Sequence, residues 1–317
     1  MADTGTGSTI QPDNELSDEG YASSMTSSYV SSIASEIRQG IEENGRLYPA
    51  YGKNAYGLPI DENEQDRGDL QHCKFTLCLN GKFHLAPIAE APQKILDLGT
   101  GSGIWAIDMA DKHPSAEVIG TDIAAVQPSW VPPNCRFELE DAENDWPYRK
   151  DSFDFIHGRE FLLAIRDWDR LVERCFEHVK PGGYLELSGT YPRPKSDDNT
   201  VPDDSAYKEV ASIFFKISES IGASAEAPRF YKERMEKAGF VDVVERIFKV
   251  PTNPWPKDKR LKMIGAFELA NASEGLEAFI MRGYTTVLGG DRKDMEVLLA
   301  RSRQEMKNRN MHSYILL

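Results

Sequence analysis

The residues best suited to chemistry in this chain form a glycine-rich turn after an acidic strand end. Asp97 precedes the run Leu98-Gly99-Thr100-Gly101-Ser102-Gly103, and a helix is predicted to begin at Ile104. Glycines let the backbone approach a ligand closely and adopt positive φ angles without steric cost. The free N–H groups that begin the helix attract a carboxylate or a phosphate. We therefore expect a cofactor to bind at Asp97, Gly99, Thr100, Gly101 and Gly103.

Two classes of cofactor bind to turns of this kind, and the spacing distinguishes them. A dinucleotide fingerprint is Gly-x-Gly-x-x-Gly, which would place the third glycine at position 104. Position 104 is Ile, and the third glycine stands at 103 instead. An Asp97 carboxylate would repel a pyrophosphate, whereas it attracts the cationic methionine end of S-adenosylmethionine. The pattern favours S-adenosylmethionine as the cofactor.

Three further candidate positions follow predicted strands, and parallel strands end at one edge of a sheet. Asp122, with Ile123 beside it, is placed to accept hydrogen bonds from two ribose hydroxyls, although NAD enzymes carry an acid there too. Asp141, followed by Ala142, is placed to bind an adenine amino group, or it belongs to a solvated acidic turn. His157 either contacts the cofactor or substrate, or only hydrogen-bonds the backbone at a strand end. No residue is assigned as a general base, since methyl transfer needs one only when the acceptor loses its proton with difficulty.

Short apolar runs alternate with helical patterns around these residues, which predicts βαβ units and a parallel sheet. The predicted strands of this section are Lys94–Leu98, Glu117–Asp122, Arg136–Glu140, Phe153–His157 and Tyr184–Ser188. Two later strands are predicted at Phe240–Val250 and His312–Leu317. The expected fold is therefore α/β, a doubly wound and mostly parallel seven-stranded sheet of the Rossmann-like kind, with an N-terminal helical cover and helical insertions.

The chain divides into three sections by composition. Residues 1–32 are rich in Ser and poor in apolar side chains, so this tail is predicted to be disordered. Residues 33–90 form a helical and lid segment, with a helix over Ser32–Gly45 and another over Leu70–Leu85. Residues 91–317 form the main domain, and its helical insertions at about 190–238 and 251–308 are expected to shape a substrate pocket. Within residues 33–90, Tyr48 and Tyr51 are predicted either to cover the cofactor or to pack on the core.

Charge and composition exclude several classes of function. The net charge of −14 argues against a nucleic-acid partner, which would require clustered Lys and Arg. No window resembles a membrane span or a secretory signal, so a cytoplasmic protein is expected, with the nucleus left open. The four cysteines have neither CxxC pairs nor a zinc-like spacing with His, and no metal site is predicted.

The motifs resemble the class I methyltransferases, and within them the LaeA-like family of fungal methyltransferases. The resemblance runs from about Glu43 to the C-terminus. It rests on four groups of residues, namely Glu43-Asn44-Gly45-Arg46-Leu47-Tyr48, the run from Asp97 to Ala106, Trp146-Pro147 and Ile156-His157-Gly158-Arg159. This resemblance implies an S-adenosylmethionine-dependent methyltransferase that either acts in a secondary-metabolite pathway or regulates such pathways.

Three functions remain to be distinguished. The first is methylation of a small-molecule intermediate of fungal secondary metabolism. The second is a LaeA-type nuclear regulator that acts through partner proteins, a hypothesis that the Ser-rich tail motivates. The third is an NAD-dependent oxidoreductase, which Ile104 disfavours.

Overall fold

The computed structural model describes residues 40–43, 45–52 and 57–317. The Ser-rich tail and most of the helix expected over Ser32–Gly45 lie outside the described residues. The expected helix is wrong at its end, because β1 (Ile41–Glu43) pairs with β2 (Arg46–Tyr48) as an antiparallel hairpin. Gly45 at the turn has a φ of 76°, a conformation that opposes continuation of a helix.

The centre of the molecule is a parallel sheet of five strands. These strands are β3 (Lys94–Leu98), β4 (Glu117–Asp122), β5 (Cys135–Leu139), β6 (Phe153–Arg159) and β7 (Val179–Ser188). Their order across the sheet is β5-β4-β3-β6-β7, so the chain runs outward in one direction and then returns to the centre to build the other half. This reversal beside β3 is the switch point at which doubly wound sheets bind ligands.

Helices cover both faces of the sheet, because its strands carry apolar side chains on both faces. Consecutive strand residues point to opposite faces. Ile95 belongs to the apolar cluster around Trp105 on α2 (Ile104–Lys112), which follows α1 (Glu62–Cys78) along the chain. Leu96 belongs to the cluster on the other face, which includes Leu171 of α3 (Trp168–His178). The α/β, doubly wound fold class is confirmed.

The count of seven strands in one sheet is not reproduced. The late strands form a separate antiparallel sheet in the order β8-β10-β9, built from β8 (Tyr191–Lys195), β9 (Lys249–Pro251) and β10 (Tyr314–Leu316). The strand expected over Phe240–Val250 is reduced to its last residues. Val241 and Val244 within it are 83% and 70% exposed, so their β-branched pattern has no core to pack against.

The remaining helices are α4 (Ala206–Ser220), α5 (Tyr231–Ala238), α6 (Lys259–Arg282) and α7 (Arg292–Met306). Of these, α4, α6 and α7 pack together, whereas α5 packs against α3. The helix α6 passes through Gly275 without interruption. Gly275 allows close packing here and does not end the helix. A Cβ at this position would lie 2.6 Å from the Phe279 ring and 3.0 Å from Arg67 Cδ. Arg67 lies on α1, so this glycine brings α6 close to α1.

Candidate functional site

A cleft opens where β3, β4 and β6 end, at the reversal of the strand order. Every predicted cofactor residue except Gly103 lines it. Those residues are Asp97, Gly99, Thr100, Gly101, Asp122, Ile123, Asp141, Ala142 and His157. The topology alone brings these positions together, because the parallel strands all end at this edge.

The floor of the cleft is a buried cluster centred on Asp97. Its Oδ1 lies 2.7 Å from Nδ1 of His157, and its Oδ2 accepts a 2.6 Å hydrogen bond from the Thr100 hydroxyl. The His157 ring stacks on Trp105 with ring centroids 3.7 Å apart. His157 therefore bonds a carboxylate side chain rather than the backbone, and both oxygens of Asp97 are held in fixed directions.

The three glycines of the turn have different roles. Gly99 and Gly101 line the cleft with φ values of 62° and 59°, a conformation that L side chains adopt only under strain. A Cβ on Gly101 would meet nothing within 4 Å, so the glycine leaves open space. A Cβ on Gly103 would collide with the Phe137 ring, which means that Gly103 permits packing of the turn on β5.

The open space at Gly101 leads to a direct prediction. In Gly101→Ala the positive φ costs about 1–2 kcal/mol of folding stability. Gly289→Ala is the matched control, because Gly289 has a φ of 67° and also nothing within 4 Å. We expect both variants to lower the free energy of unfolding similarly, measured by chemical denaturation. Only Gly101→Ala should weaken binding of S-adenosylhomocysteine in calorimetry; equal affinities would show that no ligand approaches this turn.

Two more carboxylates line the upper part of the cleft. Asp122 accepts backbone hydrogen bonds from Gly101 at 2.8 Å and Ala124 at 3.0 Å, and burial raises the pKa of its carboxyl to about 6. Asp141 is 8% exposed, and its Oδ1 accepts a 2.9 Å hydrogen bond from the Glu143 backbone. Asp141 is thus a buried wall residue, unlike the residue of a solvated turn.

One wall of the cleft is formed by residues that were not among the predicted site residues. Glu64, Arg67 and Gln71 line it from α1, and Arg159 and Glu160 line it from the end of β6. The α1 residues recur at the spacing of one helix face, a polar stripe that resembles a solvated surface in sequence. The stripe is instead buried, because α6 packs along it.

Arg159 and Tyr51 add to the surroundings of the cleft. Nη2 of Arg159 lies 3.1 Å from Nδ1 of His72, and its guanidinium lies over the Phe75 ring, so its contacts are with α1. Burial lowers the pKa of Arg159, while Asp97 and other nearby carboxylates oppose that shift. Burial also raises the pKa of Tyr51, and the negative charges of Glu140 and Asp141 add to that shift.

Comparison with known proteins identifies the family. The family model described as a methyltransferase domain matches residues 71–245. Methyltransferase pytC of Aspergillus terreus is 37% identical over 305 residues, covering 96% of this chain and 94% of that protein. The chain belongs to the LaeA-like methyltransferases. Secondary metabolism regulator LAE1 of Cochliobolus heterostrophus is 36% identical, covering 86% and 91%. Protein-methionine methyltransferase laeA of Emericella nidulans is 31% identical, covering 89% and 76%.

The methyltransferase uses S-adenosylmethionine, and the cleft suits that molecule. Carboxylates at Asp97, Asp122 and Asp141 match a ligand that carries a positive charge and several hydrogen-bond donors. The glycine turn leaves room for close backbone approach. Within the described residues, no three His, Cys, Asp or Glu side chains are arranged to hold a metal ion. None of the helices in the same part of the chain is long and apolar enough to cross a membrane.

Proposed function

We propose that this methyltransferase methylates a small-molecule intermediate of fungal secondary metabolism. The observation that carries this proposal is the intact cleft, in which carboxylates and the glycine turn converge at the sheet edge. The similarity to Methyltransferase pytC over nearly the whole chain supports the assignment to a biosynthetic pathway. The acceptor would enter beside the helices that follow β7.

We assign the cofactor-binding roles as follows. S-adenosylmethionine supplies an electrophilic methyl group on a cationic sulfur. Asp97 would attract the ammonium of the methionine end, with His157 and Thr100 holding its carboxylate in place. Asp122, with Ile123 beside it, would accept hydrogen bonds from the ribose. Asp141 and Ala142 would bind the adenine, and Gly99 and Gly101 would let the backbone approach the ligand.

The residues of the chain contribute mainly position and the exclusion of water. An in-line displacement is accelerated when donor and acceptor are held at short distance in the correct orientation. The buried stack of Trp105 on His157 gives the cleft floor a rigid surface. We propose that Tyr48 and Tyr51 belong to a covering segment. Tyr48 is 3% exposed with Arg282 over its ring, so it anchors that segment to α6.

The raised pKa of Asp122 predicts a pH dependence of cofactor affinity. Ribose hydroxyls donate to the ionised carboxylate, so binding favours deprotonation and the affinity should rise as pH passes upward through about 6. A site that must lose one proton with this pKa binds about tenfold more weakly at pH 5 than at pH 7.5. Calorimetric titration with S-adenosylhomocysteine checks this. Asp122→Asn should bind more weakly but with a flat profile between these pH values; a wild-type slope in the variant would exclude Asp122 as the source.

The proposed activity can be tested directly. Pure protein would be incubated with S-adenosylmethionine labelled on the methyl group and with extracts from a strain that lacks the gene. Transfer of label to one accumulated compound, lost in Asp97→Asn, supports the proposal. Label found only on protein, or on no molecule, counts against a small-molecule acceptor.

A LaeA-type regulator acting through partner proteins in the nucleus is the second candidate. The relatives named LAE1 and protein-methionine methyltransferase laeA favour it. Deletion of the gene discriminates between the two. A biosynthetic enzyme should be cytoplasmic, and its loss should change one family of metabolites. A nuclear regulator should change many, together with transcripts of unrelated pathways.

A further inference from the structure

A second cavity lies beside the cofactor cleft, between α1, α4 and α6. Its volume is about 80 Å³, several times the space that one water molecule requires. The segments that follow β6 and β7 close it on the sheet side through Glu160 and Thr190. It thus lies within the part of the molecule that follows the cofactor-binding strands, where an acceptor would bind.

One side of this second cavity is apolar and the other is polar. The apolar side is formed by residues of α4 and α6, namely Val210, Phe214, Leu276, Phe279 and Ile280. On the polar side, Lys74 Nζ donates to Glu268 Oε2 at 2.8 Å, and both side chains are almost fully buried. Asn271 donates to the same oxygen at 3.3 Å. Because these two charges neutralise one another, neither is free to pair with a charged ligand.

Gln71 and Glu160 line both the cofactor cleft and the second cavity. Gln71 Nε2 donates to Glu160 Oε2 at 2.8 Å, so this hydrogen bond separates the two spaces. The other oxygen of Glu160 is fixed by the Thr190 backbone N–H at 2.6 Å and the Thr190 hydroxyl at 2.8 Å. Glu160 also has a φ of 59°, a strained value for a residue with a side chain. Strain of this kind persists where the surroundings enforce it and is concentrated at functional sites.

Resting on the function proposed above, we infer that the second cavity is the acceptor pocket and that it takes a compact, uncharged aromatic alcohol. The acceptor hydroxyl replaces the Gln71 amide as hydrogen-bond donor to Glu160 Oε2. This is the point at which the two cavities meet, so the hydroxyl oxygen faces the cofactor cleft. The ring system lies against the Phe214 and Phe279 side of the cavity.

In this arrangement the methyl group passes from S-adenosylmethionine to the acceptor hydroxyl. A lone pair of the hydroxyl oxygen forms the new bond to the methyl carbon. The carbon–sulfur bond breaks, and its electron pair stays on sulfur, which becomes a neutral thioether. The hydroxyl proton passes to the Glu160 carboxylate and then to solvent. The products are a methyl ether and the neutral sulfur compound, and no oxidant or metal takes part.

The pocket can be tested with phenol and 4-methylphenol, two of the smallest aromatic alcohols, as probes. Calorimetry would measure their binding to the full chain saturated with S-adenosylhomocysteine, and labelled S-adenosylmethionine would report transfer. Ala272 lines the cavity, whereas Ala266 is an exposed residue of the same helix. We expect Ala272→Leu to weaken probe binding at least about tenfold by filling the cavity. Ala266→Leu should have no effect, and both variants should bind S-adenosylhomocysteine like the wild type.

Glu160→Gln tests the role of the Glu160 carboxylate, which lies between the cofactor cleft and the second cavity. Loss of the proton acceptor should lower the rate of methyl transfer about 100-fold or more. The affinity for the probes should change less than about threefold. Failure of the wild type to bind S-adenosylhomocysteine would refute the proposed function itself. Normal binding of S-adenosylhomocysteine with no binding of either probe, or with Ala272→Leu indistinguishable from the wild type, would refute the acceptor pocket. Full transfer in Glu160→Gln would remove Glu160 from the reaction.

Discussion

Replacing Asp97 by Asn should lower the affinity for S-adenosylhomocysteine by about 2 kcal/mol, or roughly 30-fold. The substitution removes the negative charge that faces the ammonium group of the ligand, while the side chain keeps its shape. The fold should survive, because an amide can still accept from Thr100 and donate to His157, which hold the carboxylate at 2.6 and 2.7 Å. Calorimetry measures the affinity, and the unfolding midpoint in denaturant measures stability.

Asp154→Asn is the matched control for Asp97→Asn. Asp154 lies at the start of β6, at the opposite edge of the same sheet, where it accepts backbone hydrogen bonds from Gln93 and Lys94 and binds Lys180. This variant should lose stability and keep its cofactor affinity. If the two variants have equal affinities, the effect of Asp97 is structural, and the cofactor assignment at this turn fails.

The elements nearest the cofactor turn could be predicted from sequence because local signals there agree. β3 and β4 have the expected bounds, Lys94–Leu98 and Glu117–Asp122, and α2 begins at Ile104 as predicted. An apolar run, a glycine turn and an apolar helix each specify one local structure, and the parallel sheet then determines where their ends meet. The predicted site residues are close together for this topological reason.

The wall formed by α1 was missed because its structure depends on a distant partner. The helix begins at Glu62, capped by Asp61, rather than at Leu70. Its buried face is polar, and Arg67 Nη1 donates to Asn271 Oδ1 at 2.6 Å across 204 positions of sequence. No local periodicity reveals such a contact. The apolar residues Phe75 and Leu77 shifted the predicted helix toward its C-terminal half.

The strands outside the parallel sheet also differ from the predicted strands, and for a similar reason. Phe240–Val250 has the β-branched composition of a strand, but strand propensity mainly reports whether a side chain fits a half-buried pleated surface. No such surface covers Val241 or Val244. The residues between β7 and α4 are rich in Asp and Pro, which hides β8 in the sequence. This strand pairs with β10, more than 100 residues further along the chain. Pairing at that sequence separation is not encoded in the local sequence.

The buried pair of Lys74 and Glu268 should show the largest effect on stability. Lys74→Met leaves a buried carboxylate with Asn271 as its remaining partner, which should cost about 3–5 kcal/mol. Glu268→Leu leaves a buried ammonium and should cost a similar amount. The double variant removes both charges and keeps the volume, so its free energy of unfolding should return to within about 1–2 kcal/mol of the wild type.

Denaturant unfolding of the four proteins in this cycle gives the coupling energy between the two residues. Lys232→Met is the control, because Lys232 and Glu236 form an exposed pair at 3.8 Å and its loss should change stability by less than about 0.5 kcal/mol. Additive single effects would contradict the expectation, since they would mean that each charge is solvated independently. A strong coupling would instead show that Lys74 and Glu268 are neutral as a unit. Because Glu160 is the other charged residue of the described chain that lines the second cavity, an anionic acceptor would then find no counter-charge there.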